Sequence, residues 1–250
     1  MDNKSFVKWL EEVESAVHLL PIDESYKIFS EPVTKTKLPY LGTKIPDLNK
    51  LVRQGFSFYE RTDKEILEIW NYIWNHATSH DSMNIPLIYY RWKTDKLTKQ
   101  TFSTFKKWFD RVDSWGHSDQ LCQIYSILYG RFPEKIEPTL FKWNHDKNAW
   151  KQRASIVGTI YYASPNRKQP KRTTIFKLIK PLISHKDPYV QKGVGWQLRE
   201  AYNLWPKETL AYLKKHIHDL SAISFSYATE KLSKDEKDKL KLARKQNQKK

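Results

Sequence analysis

The chain has 250 residues, with 44 Lys and Arg against 28 Asp and Glu, a formal net charge of +16, one cysteine, seven glycines and ten tryptophans. A lone Cys122 excludes an internal disulfide framework and a thiolate-built metal centre. No run of about 18 apolar residues offers a transmembrane helix, and Met1-Asp2-Asn3-Lys4-Ser5-Phe6 lacks the basic-then-apolar order of a secretory signal. The expectation is a soluble protein of a reducing compartment, cytoplasmic, whose charge favours nucleic acid first and an anionic membrane surface second.

Ser5 to Leu20 reads as an amphipathic helix with Phe6, Trp9, Leu10, Val13 and Val17 on one side, ended by Pro21. Glu31 to Lys37 reads as a loop. Pro46 opens a helix that continues to Arg53, and Asp63 caps a helix running through Ile66, Leu67, Trp70 and Ile73. Further helices are predicted at Asn84–Trp92, Gln100–Val112, Ser118–Tyr129, Pro133–Trp143, Asn148–Tyr162, Thr173–Ile183, Pro188–Tyr202, Pro206–His216 and Ala222–Leu232. Ser164 to Arg172 is a Pro- and cation-rich connection. Residues 231–250 hold nine cations and three anions, so +6 of the net charge, and residues 233–250 read as a basic tail, partly disordered or a frayed helix. The remaining +10 belongs to the folded part.

No alternating apolar stretch demands a strand, and few glycines argue against a turn-rich sheet protein. Trp143-Asn144-His145-Asp146-Lys147 is echoed by Ile183-Ser184-His185-Lys186-Asp187 at an offset of 40, within the range of HEAT-type helix pairs. The expected fold is all-α: one α-solenoid domain over residues 1–232 with terminal helices as caps.

At 100° per residue, Leu121, Ile124 and Leu128 form a core stripe, while Trp115, Asp119, Gln123 and Ser126 fall on the opposite side. Trp115 and Asp119 are i, i+4 neighbours able to meet one ligand together, although Gly116 leaves open whether Trp115 lies inside the helix. A cap and a groove-filling aromatic is the competing structural role for this pair. In the later helix, Val190, Val194, Leu198 and Ala201 form the apolar face and Lys192, Trp196 and Arg199 the reverse. An indole between two cations suits a nucleic-acid surface, and packing between helices is its alternative. Gly193 and Gly195 would let another backbone approach closely. Arg153 falls among Trp150, Ile156, Val157 and Ile160. Its guanidinium there needs an anion: Asp119, another carboxylate or a bound phosphate. His76 and His80 have the spacing of a zinc helix, but Ala77 replaces the required glutamate. Gly193-Val194-Gly195 is mid-helix, and neither a phosphate-binding loop nor a nucleophile elbow is present.

In Asp113 to Leu121, Trp143 to Ile156 and Tyr189 to Glu200, the chain resembles the DNA alkylation repair proteins of the AlkD/AlkC type, DNA glycosylases built from HEAT-like repeats. The third stretch, Tyr-Val-Gln-Lys-Gly-Val-Gly-Trp-Gln-Leu-Arg-Glu, is the most specific, and Leu41-Gly42-Thr43-Lys44-Ile45-Pro46 is a weaker match. The resemblance runs from about residue 40 to 232. It implies a C-shaped solenoid with a basic concave face holding duplex DNA, Asp119 as the catalytic carboxylate, Trp115 and Trp196 against the sugar of the lesion nucleotide, and Arg153 supporting the site or meeting the DNA backbone. An alternative register puts Asp113 and Phe109 in place of Asp119 and Trp115. Spacing to Arg153 and retention of the indole favour Asp119.

Lys192, Arg199 and Lys151 would meet phosphates, as would Arg167, Lys168, Lys171 and Arg172 in the inserted connection. Asn49 stands where the family often has arginine, which puts that one DNA contact in doubt. The implied activity is hydrolysis of the N-glycosidic bond of N3- or N7-alkylated purines in duplex DNA, without full base flipping and without metal or organic cofactor, by a monomer that joins the nucleoid when bound. Two other readings stay open. One is a non-catalytic binder of DNA structure on the same scaffold, and the other is a HEAT-type protein–protein adaptor.

Overall fold

Asp2 accepts the Ser5 backbone N–H at 2.9 Å and so caps α1 (Asn3–His18), whose apolar stripe buries Trp9, Val13 and Val17. The computed structural model describes residues 1–161 and 168–246, and every regular element among them is helical. After α1 come α2 (Glu24–Thr34), α3 (Ile45–Gln54), α4 (Asp63–His76), α5 (His80–Trp92), α6 (Lys99–Trp108), α7 (Trp115–Arg131), α8 (Pro133–Trp143), α9 (Ala149–Val157), α10 (Arg172–Ile179), α11 (Pro188–Leu204), α12 (Pro206–Lys215), α13 (Ala222–Ala228) and α14 (Lys234–Gln246). Two compact units divide the chain, Met1–Ile124 and Tyr125–Lys250.

In the first unit α1, α3, α4 and α5 pack on one another, and α6 packs on α4. Aromatic rings fill this core: Phe58 meets Trp70 edge-on at 4.8 Å, and Trp74 stacks on Trp108 at 4.7 Å. Pro46 sits in the first turn of α3, as expected. The cap of α4 is Thr62 rather than Asp63. Thr62 and Glu65 form a reciprocal capping box, leaving Asp63 as the first helical residue.

The segment Glu31–Lys37 is not simply a loop, because α2 runs through Pro32 to Thr34. Periodicity conceals this helix. It buries Ser30 and Thr34 and leaves Ile28, Phe29 and Val33 exposed, the reverse of the usual pattern. Helix α5 begins four residues before the predicted Asn84, capped by the Ser79 hydroxyl. Its first turn buries His80, Asp81 and Ser82, so hydrophobic spacing gives no signal there.

In the second unit α9, α11 and α13 lie side by side. Helix α8 packs on α9, and both α10 and α12 pack on α11. Successive helix pairs thus place their second members in one layer, the stacking of an α-solenoid of HEAT-like repeats. The echo in the sequence is visible as a repeated cap. Asn148 accepts the N–H groups of Trp150 and Lys151 at the start of α9, and Asp187 accepts those of Tyr189 and Val190 at the start of α11. The basic tail forms α14, anchored by a buried Leu240 and by Arg244, which donates to the Leu220 carbonyl at 2.7 Å. Burying one leucine contributes on the order of 2 kcal/mol.

Candidate functional site

Trp115 opens α7, so the indole lies inside the helix despite Gly116. Its N–H donates to the Val33 carbonyl at 2.8 Å, one of the orphan acceptors of the last turn of α2, and the residue stays 39% exposed. Asp119, one turn further, is half-buried. The core stripe of Leu121, Ile124 and Leu128 is fully buried as predicted. Ser126, expected on the open side, is also buried, because α7 is enclosed on most of its circumference rather than on one stripe. Of the alternative pair, Phe109 is fully buried. The Asp113 carboxylate is engaged by the chain itself, accepting the Thr36 hydroxyl at 3.1 Å and the Lys37 backbone N–H at 2.6 Å.

Behind this face lies a buried polar cluster that the sequence reading passed over. His80 and His117 stack at 4.1 Å with an interplanar angle of 22°. Burial pushes the His80 imidazole down to about 2, helped by the neighbouring His117, and pushes His117 down to about 4. Both rings are therefore neutral at ordinary pH. Partners assign the tautomers. His117 Nε2 faces the His80 carbonyl at 3.1 Å and so carries its proton. His80 Nδ1 faces the Asn84 amide nitrogen at 3.3 Å and accepts, which leaves Nε2 to donate to Ser114 Oγ at 3.4 Å. Asn84 Oδ1 accepts from Gln120 Nε2 at 2.6 Å, and Gln120 Oε1 accepts from Arg91 at 3.1 Å.

Next to the cluster, the buried Asp81 carboxylate accepts the backbone N–H groups of Leu41 at 2.9 Å and Thr43 at 3.0 Å. Burial raises its carboxyl above the usual range, against the lowering effect of those two bonds. Gly42 between them has φ +89°, and a side chain there would strike Lys27. The Leu41–Pro46 stretch is thereby pinned to α5. His76 and His80 lie on different helices, and His76 Nδ1 meets the Tyr72 carbonyl at 2.8 Å. Among the described residues no cluster of three or more His, Cys, Asp or Glu side chains is placed to hold a metal ion.

In the second unit, α9 buries Arg153, which is 4% exposed, beside the fully buried Ile156, Val157 and Ile160. Its Nη1 donates to the Tyr189 carbonyl at 2.6 Å, and the guanidinium lies 5.8 Å from the centre of the Trp196 ring. Helix α11 buries Val190, Val194, Leu198 and Ala201, and half-exposes Lys192, Trp196 and Arg199, as the spacing requires. Gly193 makes room for Arg153: a methyl group there would lie 3.3 Å from Arg153 Cγ. Gly195 receives the backbone of α13, with Ser224 O only 2.7 Å from where its Cβ would stand.

The predicted phosphate contacts fall into two groups. Arg199 is bound to Glu200 at 3.1 Å and Glu230 at 2.7 Å, Arg172 to Glu208, and Lys151 lies 3.9 Å from Asp146. Lys192 sits over the Tyr189 ring at 5.3 Å. Lys168 and Lys171 are exposed at the rim of a 560 Å³ cavity lined by Tyr129, Glu137 and Phe141. Arg167 lies outside the described residues. Trp115 and Asp119 are thus together in one unit, and Arg153, Trp196 and Lys192 are together in the other.

A family model described as DNA alkylation repair enzyme matches residues 22–232. No curated protein matches the sequence.

Proposed function

The chain belongs to the DNA alkylation repair enzyme family, and on that premise we propose that it is a DNA glycosylase that initiates base excision repair of cationic, N3- or N7-alkylated purines in duplex DNA. An alkylated purine carries a positive charge. When the C1′–N bond breaks, its electron pair passes to the base, which leaves neutral without needing a proton. Positive charge develops instead on the sugar as an oxocarbenium ion. Asp119 stabilises that charge and orients the water that adds to C1′ and gives up a proton. The ring faces of Trp115 and Trp196 favour the same cation, each by roughly 0.5–2 kcal/mol. Arg153 serves through Trp196 rather than at the sugar, where a second cation would oppose the reaction.

The observation that carries this reading is the pair at the start of α7: an indole tethered through its N–H yet still exposed, with a carboxylate one turn away. The buried Phe109, against the exposed Trp115, supports this register over the alternative. Phosphate contacts rest on Lys192, Lys168 and Lys171, because Arg199 and Arg172 already meet carboxylates. The test is release of 3-methyladenine and 7-methylguanine from methylated duplex DNA. Wild type releases both, and Asp119→Asn keeps DNA affinity while losing release. Tight binding by wild type with no release would leave a DNA-structure binder, and no affinity for DNA would leave a protein adaptor.

A further inference from the structure

We propose that Asn84 and Gln120 are positioning residues for Trp115 and Asp119, acting through a one-way hydrogen-bond chain that runs from Arg91 through Gln120, Asn84 and His80 to Ser114. The inference rests on the catalytic role given above to α7. Each link has one permitted direction. Arg91 can only donate, so the Gln120 oxygen faces it and the Gln120 amide nitrogen turns to Asn84 Oδ1. The Asn84 nitrogen then faces His80 Nδ1, and His80 Nε2–H faces Ser114.

The chain meets α7 at Gln120 and at Ser114, the residue just before its first turn, and each is the sequence neighbour of a functional residue: Ser114 precedes Trp115, and Gln120 follows Asp119. The two points on α5, His80 and Asn84, are themselves one turn apart. The result is a pair of polar rungs between α5 and α7. Apolar contacts such as those of Leu121 and Ile124 tolerate small slides and rotations of a helix. Two directed rungs do not, since either motion strands a buried amide or imidazole. His80, Asn84, Ser114 and Gln120 are all buried, so a stranded partner loses its hydrogen bond with no water to replace it. The network therefore sets how far α7 is turned about its own axis, and that angle decides where the indole and the carboxylate stand.

The same directionality supplies a rescue experiment. Gln120→Met keeps the shape and breaks both links. In Gln120→Glu the new carboxylate still accepts from Arg91, the Asn84 amide turns over to donate to it, and His80 moves its proton to Nδ1. The chain is then rebuilt with reversed polarity from Asn84 to Ser114. Base release from methylated duplex is measured beside DNA affinity, circular dichroism and the ¹⁵N resonance of the Trp115 indole N–H, identified by its loss in Trp115→Phe. A small misplacement of reacting groups lowers rate by up to about 100-fold. Gln120→Met is expected to lower the single-turnover rate by roughly 10- to 100-fold, leave affinity unchanged and shift the indole resonance. Gln120→Glu is expected to recover both.

An unchanged rate and resonance in Gln120→Met, or equal behaviour of the two variants, overturns the proposal. Should Gln120→Met fail to fold, Arg91→Met makes the same comparison from the solvent end of the chain. If wild type releases no base, the glycosylase reading fails, and the indole resonance alone decides the positioning role.

Discussion

The stacked His80–His117 pair makes a quantitative prediction about acid stability. With His80 held at about 2 and His117 at about 4, both rings stay neutral in the folded protein across pH 5–7.5, whereas in the unfolded chain each titrates near 6.5. A depressed folded pKa means that the unfolded state takes up the proton first. The full contribution of the neutral pair is present above about pH 6.5 and is lost as pH falls toward the folded values. Each ring contributes a slope of about 1.4 kcal/mol per pH unit below 6.5. From 6.5 to 5 that amounts to about 2 kcal/mol per ring and about 4 kcal/mol for the pair. A domain with a stability of about 5–15 kcal/mol registers this easily.

The assay is urea unfolding of wild type, His80→Gln and His117→Gln at pH 7.5, 6.5, 5.5 and 5.0. Either variant is less stable at neutral pH, having lost a packed ring. Its stability should fall less steeply with acid, by about 1.4 kcal/mol per pH unit. Taking the difference from wild type cancels the other titrating groups, including Asp81, whose burial acts in the opposite sense. A wild-type-minus-variant difference that is flat from pH 7.5 to 5.0 would refute the argument, since it would mean that the removed ring takes up its proton as readily in the folded protein as in the unfolded chain.

Two further outcomes follow from contacts in the second unit. Gly195→Ala puts a methyl group 2.6 Å from Tyr227 Cβ and 2.7 Å from Ser224 O, so α13 must move. A loss of about 1–3 kcal/mol in urea unfolding is expected, and a neutral effect would show that the α11–α13 spacing is soft. In DNA binding measured against salt, Lys168→Gln with Lys171→Gln should reduce the log–log slope by about 0.9 per residue. Arg199→Gln should leave it unchanged, because that guanidinium is held by Glu200 and Glu230. The opposite ranking would move the phosphate contacts from Lys168 and Lys171 to Arg199.

Where the sequence was legible, an apolar stripe faced inward or a proline marked a start. Helix α8 has the predicted bounds at Pro133 and Trp143, and Val190, Val194, Leu198 and Ala201 point into the core at their 100° spacing. The same geometry moved Trp196 off the buried face and put Arg153 on it. Helix α2 was illegible because Ile28, Phe29 and Val33 point outward and Pro32 reads as a breaker. The start of α5 was illegible because its buried turn is polar. The rungs behind Trp115 and Asp119 join residues 34 and 36 positions apart, and no local pattern reports such a pairing. In sequence, Gln120 is an ordinary polar residue beside an interesting one, and His80 is half of a false zinc motif.

Gly193 and Gly195 give α11 a mechanical property. One receives Arg153 and Val157 of α9, and two residues later the other receives the backbone of α13. Both grips act on the main chain of α11, at Gly193 through the side chains of Arg153 and Val157 and at Gly195 through Tyr227 Cβ and the Ser224 backbone. At Gly195 the nearest atoms are a Cβ and a backbone carbonyl, so rotamer changes have little to act on there. Trp196, one residue beyond the second grip, is carried on a stiff rail. The main chain beneath the ring is fixed in this way, so a ligand that meets Trp196 has no helix segment to order. The two smallest residues of the helix thus set the place from which its largest side chain projects.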